Sequence, residues 1–108
     1  MEMYSMDPRL AELIDAAVEN PEHAKRLVEA DPTLLGLRTS LGETALHFLA
    51  VENYASGVQV LIDLGASVNV TNSFGSSPLD EAEFVSASEA ADVLRRAGAE
   101  NIRRPGEY

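Results

Sequence analysis

Short apolar stretches at helical spacing alternate with polar, turn-forming segments along this 108-residue chain. In the first stretch an apolar residue recurs at i, i+3, i+4, i+7 and i+8, which places the set on one face of a helix. Its members are Leu10, Leu13, Ile14, Ala17 and Val18. Further stretches of similar length follow, and helix-ending residues such as Pro21, Pro32 and Gly65 separate them. The pattern predicts an all-α chain of six short helices grouped in pairs.

Residues that favour helix N-termini stand in front of four of these stretches. Asp7 and Ser77 each precede a proline, so a capping oxygen is followed by a residue whose missing N–H costs nothing at the first helical position. Thr44 can cap the third helix in the same way. Ser86 and Glu89 have the spacing of a capping box, which predicts that Ser86 caps the last helix.

The sequence repeats itself at an offset of 33 residues. Four separate matches share this offset: 17–20 with 50–53, 42 with 75, 46 with 79, and 65–66 with 98–99. A single pair of short helices cannot bury its own apolar face, so we expect the pairs to stack on one another in a single domain over residues 1–102. The predicted repeats are roughly 7–38, 39–71 and 72–102, and residues 103–108 form a predicted C-terminal tail.

The segments that join the predicted helix pairs have a different composition. Residues 37–42 and 68–75 are rich in Asn, Ser, Thr and Gly and have little helical periodicity. Such segments are typical of extended arms with tight turns.

These turns lead into a motif that resembles the ankyrin repeat signature, G-x-T-P-L-H, a short helix, and then V-x-x-L-[LI]-x-x-G-A-x-x-N. Residues 42–47 read Gly-Glu-Thr-Ala-Leu-His and residues 75–80 read Gly-Ser-Ser-Pro-Leu-Asp, at the period of about 33 typical of the family. Ala45 replaces the usual Pro and Asp80 the usual His, while Gly57 stands inside an outer helix, where Gly costs about 0.5–1 kcal/mol relative to Ala. The resemblance implies an ankyrin-repeat α-solenoid of stacked antiparallel helix pairs joined by β-hairpin-like loops.

The resemblance also implies where such a protein binds its partners: on the concave face formed by the hairpin tips and the inner helices. The hairpin positions carried over to this chain are Arg38, Ser40, Leu41, Glu43, Thr71, Asn72, Ser73, Phe74 and Ser76. The inner-helix positions carried over are Val18, Glu19, Val51, Glu52, Phe84 and Val85.

Phe74 has two interpretations. As a large aromatic side chain in a turn of small residues it suits an interface anchor, but it could equally pack on its own hairpin or on Leu41. Phe84 could likewise cover the end of the stack. Leu41, Phe74, Phe84 and Val51 together would form one apolar stripe on the concave side, and a contiguous patch carries more meaning than scattered residues.

The chain is strongly acidic, with 18 acidic and 8 basic residues and a formal charge of −10. Residues 39–94 contain no Lys or Arg, which argues against binding to nucleic acid or to an anionic membrane surface. The acidity serves either general solubility or attraction of a basic partner. Arg103 and Arg104 are expected to complement the negative end of the last helix.

The sequence contains no arrangement that indicates catalysis. Cysteine is absent, and His47 is better explained as a structural residue, because in this motif the Thr and His side chains hydrogen-bond locally and to the neighbouring hairpin. We therefore expect no enzyme activity, no metal and no cofactor. The start of the chain, residues 1–7, lacks the features of a signal peptide, so we expect a cytoplasmic location.

The sequence thus predicts a non-catalytic protein–protein interaction module that binds another protein through the concave face. The alternative is an acidic regulatory inhibitor that occupies a basic groove of its partner. Weak self-association is a further hypothesis, because the side of the last repeat that carries Phe84 has few charged residues to cap the stack.

Overall fold

The computed structural model describes residues 5–103, so residues 1–4 and most of the predicted tail, 104–108, lie outside the described part. Six α-helices follow one another in three pairs: α1 (Pro8–Glu19), α2 (Pro21–Ala30), α3 (Ala45–Val51), α4 (Ala55–Asp63), α5 (Pro78–Phe84) and α6 (Ser88–Arg96). Between residues 5 and 103 there is no β-strand. The predicted all-α helical repeat fold is confirmed.

Three of the four predicted N-terminal caps form. The Asp7 carboxylate accepts a hydrogen bond from the backbone N–H of Arg9 at 2.9 Å. Thr44 and Ser77 each take part in a complete capping box, in which the third helical residue also accepts from the capping residue's backbone N–H. Each box satisfies two of the N–H groups that a helix start leaves without a partner in the helix.

The fourth predicted cap, at Ser86, is wrong. Helix α6 has Ala87 as its N-cap and no capping side chain of its own, and Ser86 has a left-handed backbone with φ 61°. Asn53, from the preceding helix pair, supplies the missing acceptor: its Oδ1 accepts from the backbone N–H of Ala90 at 3.0 Å. The start of the last helix therefore depends on the stacking of the second pair against the third.

A short 3-10 helix, Pro32–Gly36, follows α2 and was not expected from the sequence. Asp31 accepts from the backbone N–H of Thr33 at 3.1 Å, and Pro32 occupies a first helical position, where its missing N–H costs nothing. The burial of Leu34 makes this extra turn part of the core. The pair Asp31–Pro32 thus ends α2, as expected, and also starts another helical turn.

The helix pairs stack in one direction. Helix α3 packs between α1 and α5, so these three inner helices form a row, and outer helix α4 packs on α6. Equivalent leucines at the 33-residue offset, Leu13, Leu46 and Leu79, are all at most 2 % exposed. Burial of this repeated apolar set between neighbouring pairs provides the main stabilisation of the stack.

Gly57 lowers the intrinsic stability of its helix, as expected, but it also has a packing role. A Cβ atom at this position would lie 3.0 Å from Leu49 Cδ1 and 3.5 Å from Val18 Cγ2. The absence of a side chain therefore allows α4 to approach the neighbouring inner helices closely.

Candidate protein-binding surface

His47 joins the second repeat to the third. Its ring is fully buried, with Nδ1 accepting from the Thr44 backbone N–H at 3.3 Å and Nε2 donating to the carbonyl oxygen of Ser76 at 3.0 Å. Burial lowers the pKa of His47 below its usual value, although the hydrogen bond to Ser76 opposes that effect. The neutral ring satisfies both hydrogen bonds, so the contacts agree with a structural role.

The two hairpin turns are tied to each other as well. The guanidinium of Arg38 donates to the carbonyl oxygens of Gly42, at 2.9 Å, and Thr71, at 2.6 Å. The backbone N–H of Ser73 donates to the carbonyl oxygen of Leu41 at 3.0 Å. These hydrogen bonds hold the tips at residues 41 and 74 side by side in a fixed orientation.

Most of the hairpin residues assigned to the surface are accessible. Arg38, Ser40, Leu41, Ser73 and Phe74 are exposed, while Glu43 and Thr71 are half-buried. Phe74 is 58 % exposed, so its side chain does not pack tightly into its own hairpin.

The expected exposure of Asn72 and Ser76 is wrong, because both residues are buried. The Asn72 side chain accepts from the backbone N–H groups of Phe74 and Ser76, which holds the turn closed. The Ser76 carbonyl oxygen accepts from His47, so both residues fix the hairpin from within.

The inner-helix residues expected at the surface lie at the C-terminal ends of their helices. Glu52, Phe84 and Val85 are exposed and Val51 is half-buried, with Phe84 at 61 %. The interpretation of Phe84 as a cover for the end of the stack stays a prediction. Since a seven-residue helix is about 10 Å long, these residues lie about one helix length from the helix start to which each hairpin leads. A continuous apolar stripe from Leu41 to Phe84 stays a prediction.

A groove between α1 and α3 was not predicted from the sequence. It encloses about 160 Å³ and is lined by Ile14, Asp15, Val18, Glu19, Phe48, Leu49, Glu52 and Tyr54. Phe48 was missed because it lies off the apolar face defined by Leu46 and Leu49, and Tyr54 because it follows the end of α3. The sequence feature that could have indicated the groove is Phe48, a large aromatic residue just outside the apolar face of α3.

The end of the described chain folds back onto α5 through Asp80. The Asp80 carboxylate accepts from the backbone N–H groups of Ser77, at 2.9 Å, and Arg103, at 2.9 Å, and from the side chain of Asn101 at 3.1 Å. Burial alone would raise the pKa of Asp80, but these hydrogen bonds and another from Ile102 outweigh it and lower the pKa. A carboxylate thus stands in place of the usual His because the terminal segment presents N–H donors to it.

The guanidinium of Arg103 donates to the Ser76 hydroxyl at 3.0 Å, beside the start of α5. The expected role of Arg103 at the negative end of α6 stays a prediction. Arg104, of which the same was expected, lies outside the described residues. In the last turn of α6 the basic residues are Arg95 and Arg96, and Arg95 pairs with Glu83 and Asp92.

Neither a metal site nor a membrane-spanning helix is found in the described part of the chain. No three His, Cys, Asp or Glu side chains between residues 5 and 103 are grouped so that they could hold a metal ion. No helix in the same range has both the length and the apolar character needed to cross a membrane.

Comparison with known proteins agrees with this architecture. The family model described as "Ankyrin repeats (many copies)" matches residues 27–82. The chain belongs to the ankyrin repeat family. The resemblance of its turn motifs to the ankyrin signature is therefore confirmed, and ankyrin repeats are generally non-catalytic modules for protein–protein interaction.

Two known proteins are similar to this ankyrin chain over most of its length. It is 27 % identical over 84 residues to the serine/threonine-protein kinase VIK of Arabidopsis thaliana, which covers 78 % of the chain and 19 % of the kinase. A chain in the structure of a predatory endopeptidase from Bdellovibrio bacteriovorus in complex with an immunity protein matches with a TM-score of 0.70 and 28 % identity. That match covers 78 % of the ankyrin chain and 44 % of the solved one. The ankyrin chain thus spans less than half the length of either.

Proposed function

We propose that this chain is a non-catalytic module that binds another protein through the concave face of its ankyrin stack. The observation that carries the proposal is the apolar character of one inner-helix position, equivalent at the 33-residue offset, in all three repeats: Val18, Val51 and Phe84. Phe84 is exposed and the two valines are half-buried, so a partner can reach this row. The hydrogen bonds of Arg38 and His47 fix the neighbouring turns in advance, and a pre-ordered surface loses little entropy on binding.

The proposed surface comprises the accessible residues assigned from the family resemblance. They are Val18, Glu19, Arg38, Ser40, Leu41, Glu43, Val51, Glu52, Thr71, Ser73, Phe74, Phe84 and Val85. Ser76 is left out because it is buried. The division into one domain at 1–102, with repeats at about 7–38, 39–71 and 72–102 and a tail at 103–108, is part of the same proposal.

Affinity capture with matched variants tests this proposal. The chain is used to capture proteins from an extract of its source cells, and the captured proteins are quantified by mass spectrometry. In the concave variant Phe74→Ser and Phe84→Ser are combined, and the control is Ile102→Ser, which removes another apolar residue of similar exposure, 45 %, outside the proposed surface. Circular dichroism and thermal unfolding establish that each variant is folded.

We expect the concave variant to lose its specific partners by about tenfold or more, since two exposed aromatic anchors contribute on the order of 1–2 kcal/mol each. The Ile102→Ser control should retain them. Equal recovery by the wild type and a folded concave variant would contradict the proposal.

A second candidate function is an acidic regulator that occupies a basic groove of its partner. Two observations favour it: residues 39–94 contain no basic residue, and the solved relative comes from a complex between an endopeptidase and an immunity protein. Affinity for the captured partner should then fall steeply as the salt concentration rises, because salt screens exposed charges. Affinity that is insensitive to salt would contradict this candidate and leave the apolar interface in place.

The proposal places the protein in the cytoplasm and includes weak self-association through the exposed Phe84 and Val85. Exposed apolar residues at the end of a short stack suit a reversible contact between copies. Sedimentation velocity over a wide concentration range should show the average mass rising with concentration. A constant monomer mass would contradict self-association without affecting the proposed binding of other proteins.

A further inference from the structure

The groove between α1 and α3 combines an apolar floor with an acidic rim. Ile14, Val18 and Phe48 are half-buried and form the floor. The exposed residues of the groove are Asp15, Glu19, Glu52 and Tyr54. No lysine or arginine lines it. The space of about 160 Å³ accommodates one long side chain rather than a whole folded element.

The carboxylates of the rim are available to a partner. Asp15, Glu19 and Glu52 form no salt bridge or side-chain hydrogen bond with any residue between 5 and 103. By contrast, Glu12 pairs with His23 and Glu83 pairs with Arg95. The unpaired charge of the groove is therefore not used by the fold.

The 33-residue offset shows that two equivalent carboxylates in one row occur only at the first end of the stack. Glu19 and Glu52 are equivalent positions, but the third member of the row is Val85. The α1–α3 groove therefore has an acidic residue at this position from each of its two repeats, whereas the second and third repeats combine Glu52 with Val85.

We propose that this groove binds an arginine side chain, next to an apolar residue, from an extended segment of a partner protein. The inference rests on the proposed concave-face function and names the chemistry of one part of that surface. The guanidinium lies against Glu19 and Glu52, and its planar shape suits both carboxylates and the faces of Phe48 and Tyr54. The methylene stem and the neighbouring apolar side chain pack on Val18.

Two small peptides that differ only in charge test this inference. Acetyl-leucyl-arginine amide is titrated into the full chain and followed by backbone amide NMR. Acetyl-leucyl-citrulline amide has nearly the same shape but no charge. We expect the arginine peptide to bind weakly, in the millimolar range, and to shift the amides of Val18, Phe48, Glu52 and Tyr54. The citrulline peptide should bind about threefold to fivefold more weakly, the effect expected for an exposed charge pair.

Matched charge variants locate the site. Combined Glu19→Gln and Glu52→Gln should reduce the affinity for the arginine peptide to that for the citrulline peptide. Combined Glu22→Gln and Glu29→Gln, on the exposed surface of α2, should leave it unchanged. Equal binding of both peptides, or shifts that do not involve the groove, would overturn the inference.

The captured partner separates a failure of this inference from a failure of the proposed function. Loss of the partner in the Phe74→Ser and Phe84→Ser variant, with full retention in the Glu19→Gln and Glu52→Gln variant, would contradict only the arginine site. Retention of the partner by both folded variants would contradict the concave-face function itself. Loss of the partner in both variants supports the site.

Discussion

At the residue scale, His47 and Asp80 occupy equivalent positions in successive repeats but form hydrogen bonds of opposite direction with the next element. His47 donates to the carbonyl oxygen of Ser76 in the repeat that follows it. Asp80 accepts from the backbone N–H groups of Ile102 and Arg103 in the terminal segment. The same position therefore carries a donor where the next element presents an acceptor, and an acceptor where it presents donors.

The lowered pKa of His47 makes the stability of the fold depend on pH near neutrality. Because the buried ring resists protonation, the unfolded chain takes up a proton more readily than the folded chain. The free energy of unfolding should therefore fall as the pH drops below about 6.5, the usual His value. Urea unfolding midpoints across this range should show the fall in the wild type and in His23→Gln. They should show little of it in His47→Gln, and a slope that persists in that variant would exclude His47 as its cause.

Restoring the usual ankyrin residue at position 80 should destabilise this protein. Asp80→His replaces a carboxylate that accepts several hydrogen bonds by a neutral ring that accepts one, so the part-buried N–H donors of Ile102 and Arg103 lose their partner at a total cost of about 1–3 kcal/mol.

The matched control restores the usual ankyrin proline at position 45. Ala45→Pro occupies the first position of α3, after an extended Thr44, and Pro78 already fills the equivalent site. It should be neutral or stabilise by about 0.4–1 kcal/mol. Chemical denaturation of both variants measures the effects, and a stabilising Asp80→His would refute the role given to Asp80.

At the element scale, local sequence signals account for the helices, but they do not fully account for the hydrogen bonds that the groups at each helix end form. Helical periodicity and the 33-residue offset predict the six helices, and the caps at Asp7, Thr44 and Ser77 form within their own helices. The cap of α6 was missed because Asn53 reaches it from another repeat. The terminal segment on Asp80 and the α1–α3 groove also arise from contacts between elements distant in sequence. Local patterns carry no information about such contacts.

Gly57 provides a test of packing between helices. Gly57→Ala improves the intrinsic helix propensity of α4 by about 1 kcal/mol, yet its Cβ would meet buried Leu49 at 3.0 Å. Overpacking of this kind typically costs about 1–3 kcal/mol, so we expect a net loss of stability.

The control for this substitution is Gly36→Ala, where a Cβ meets nothing within 4 Å. It should be neutral or slightly stabilising. Thermal and urea unfolding compare the two variants. A Gly57→Ala protein more stable than the wild type would show that α4 does not need its close approach.

At the scale of the whole molecule, the stack is a thin plate. Its Cα atoms extend over 40 × 38 × 19 Å, with α1, α3 and α5 in one row and the outer helices behind them. A plate of this shape offers a broad face for a partner while each repeat contacts only its neighbours. The net charge of −10 adds a long-range attraction for a basic partner.

The most direct test of the account is a methyl NMR map of the chain with and without a partner recovered by affinity capture. We predict that methyl signals of Leu41, Val18 and Val51, on the hairpin tips and inner helices, shift or broaden on binding. The signals of Val60 and Ile62, on outer helix α4, should change little. Changes confined to the outer helices, with Leu41, Val18 and Val51 unaffected, would contradict binding through the concave face.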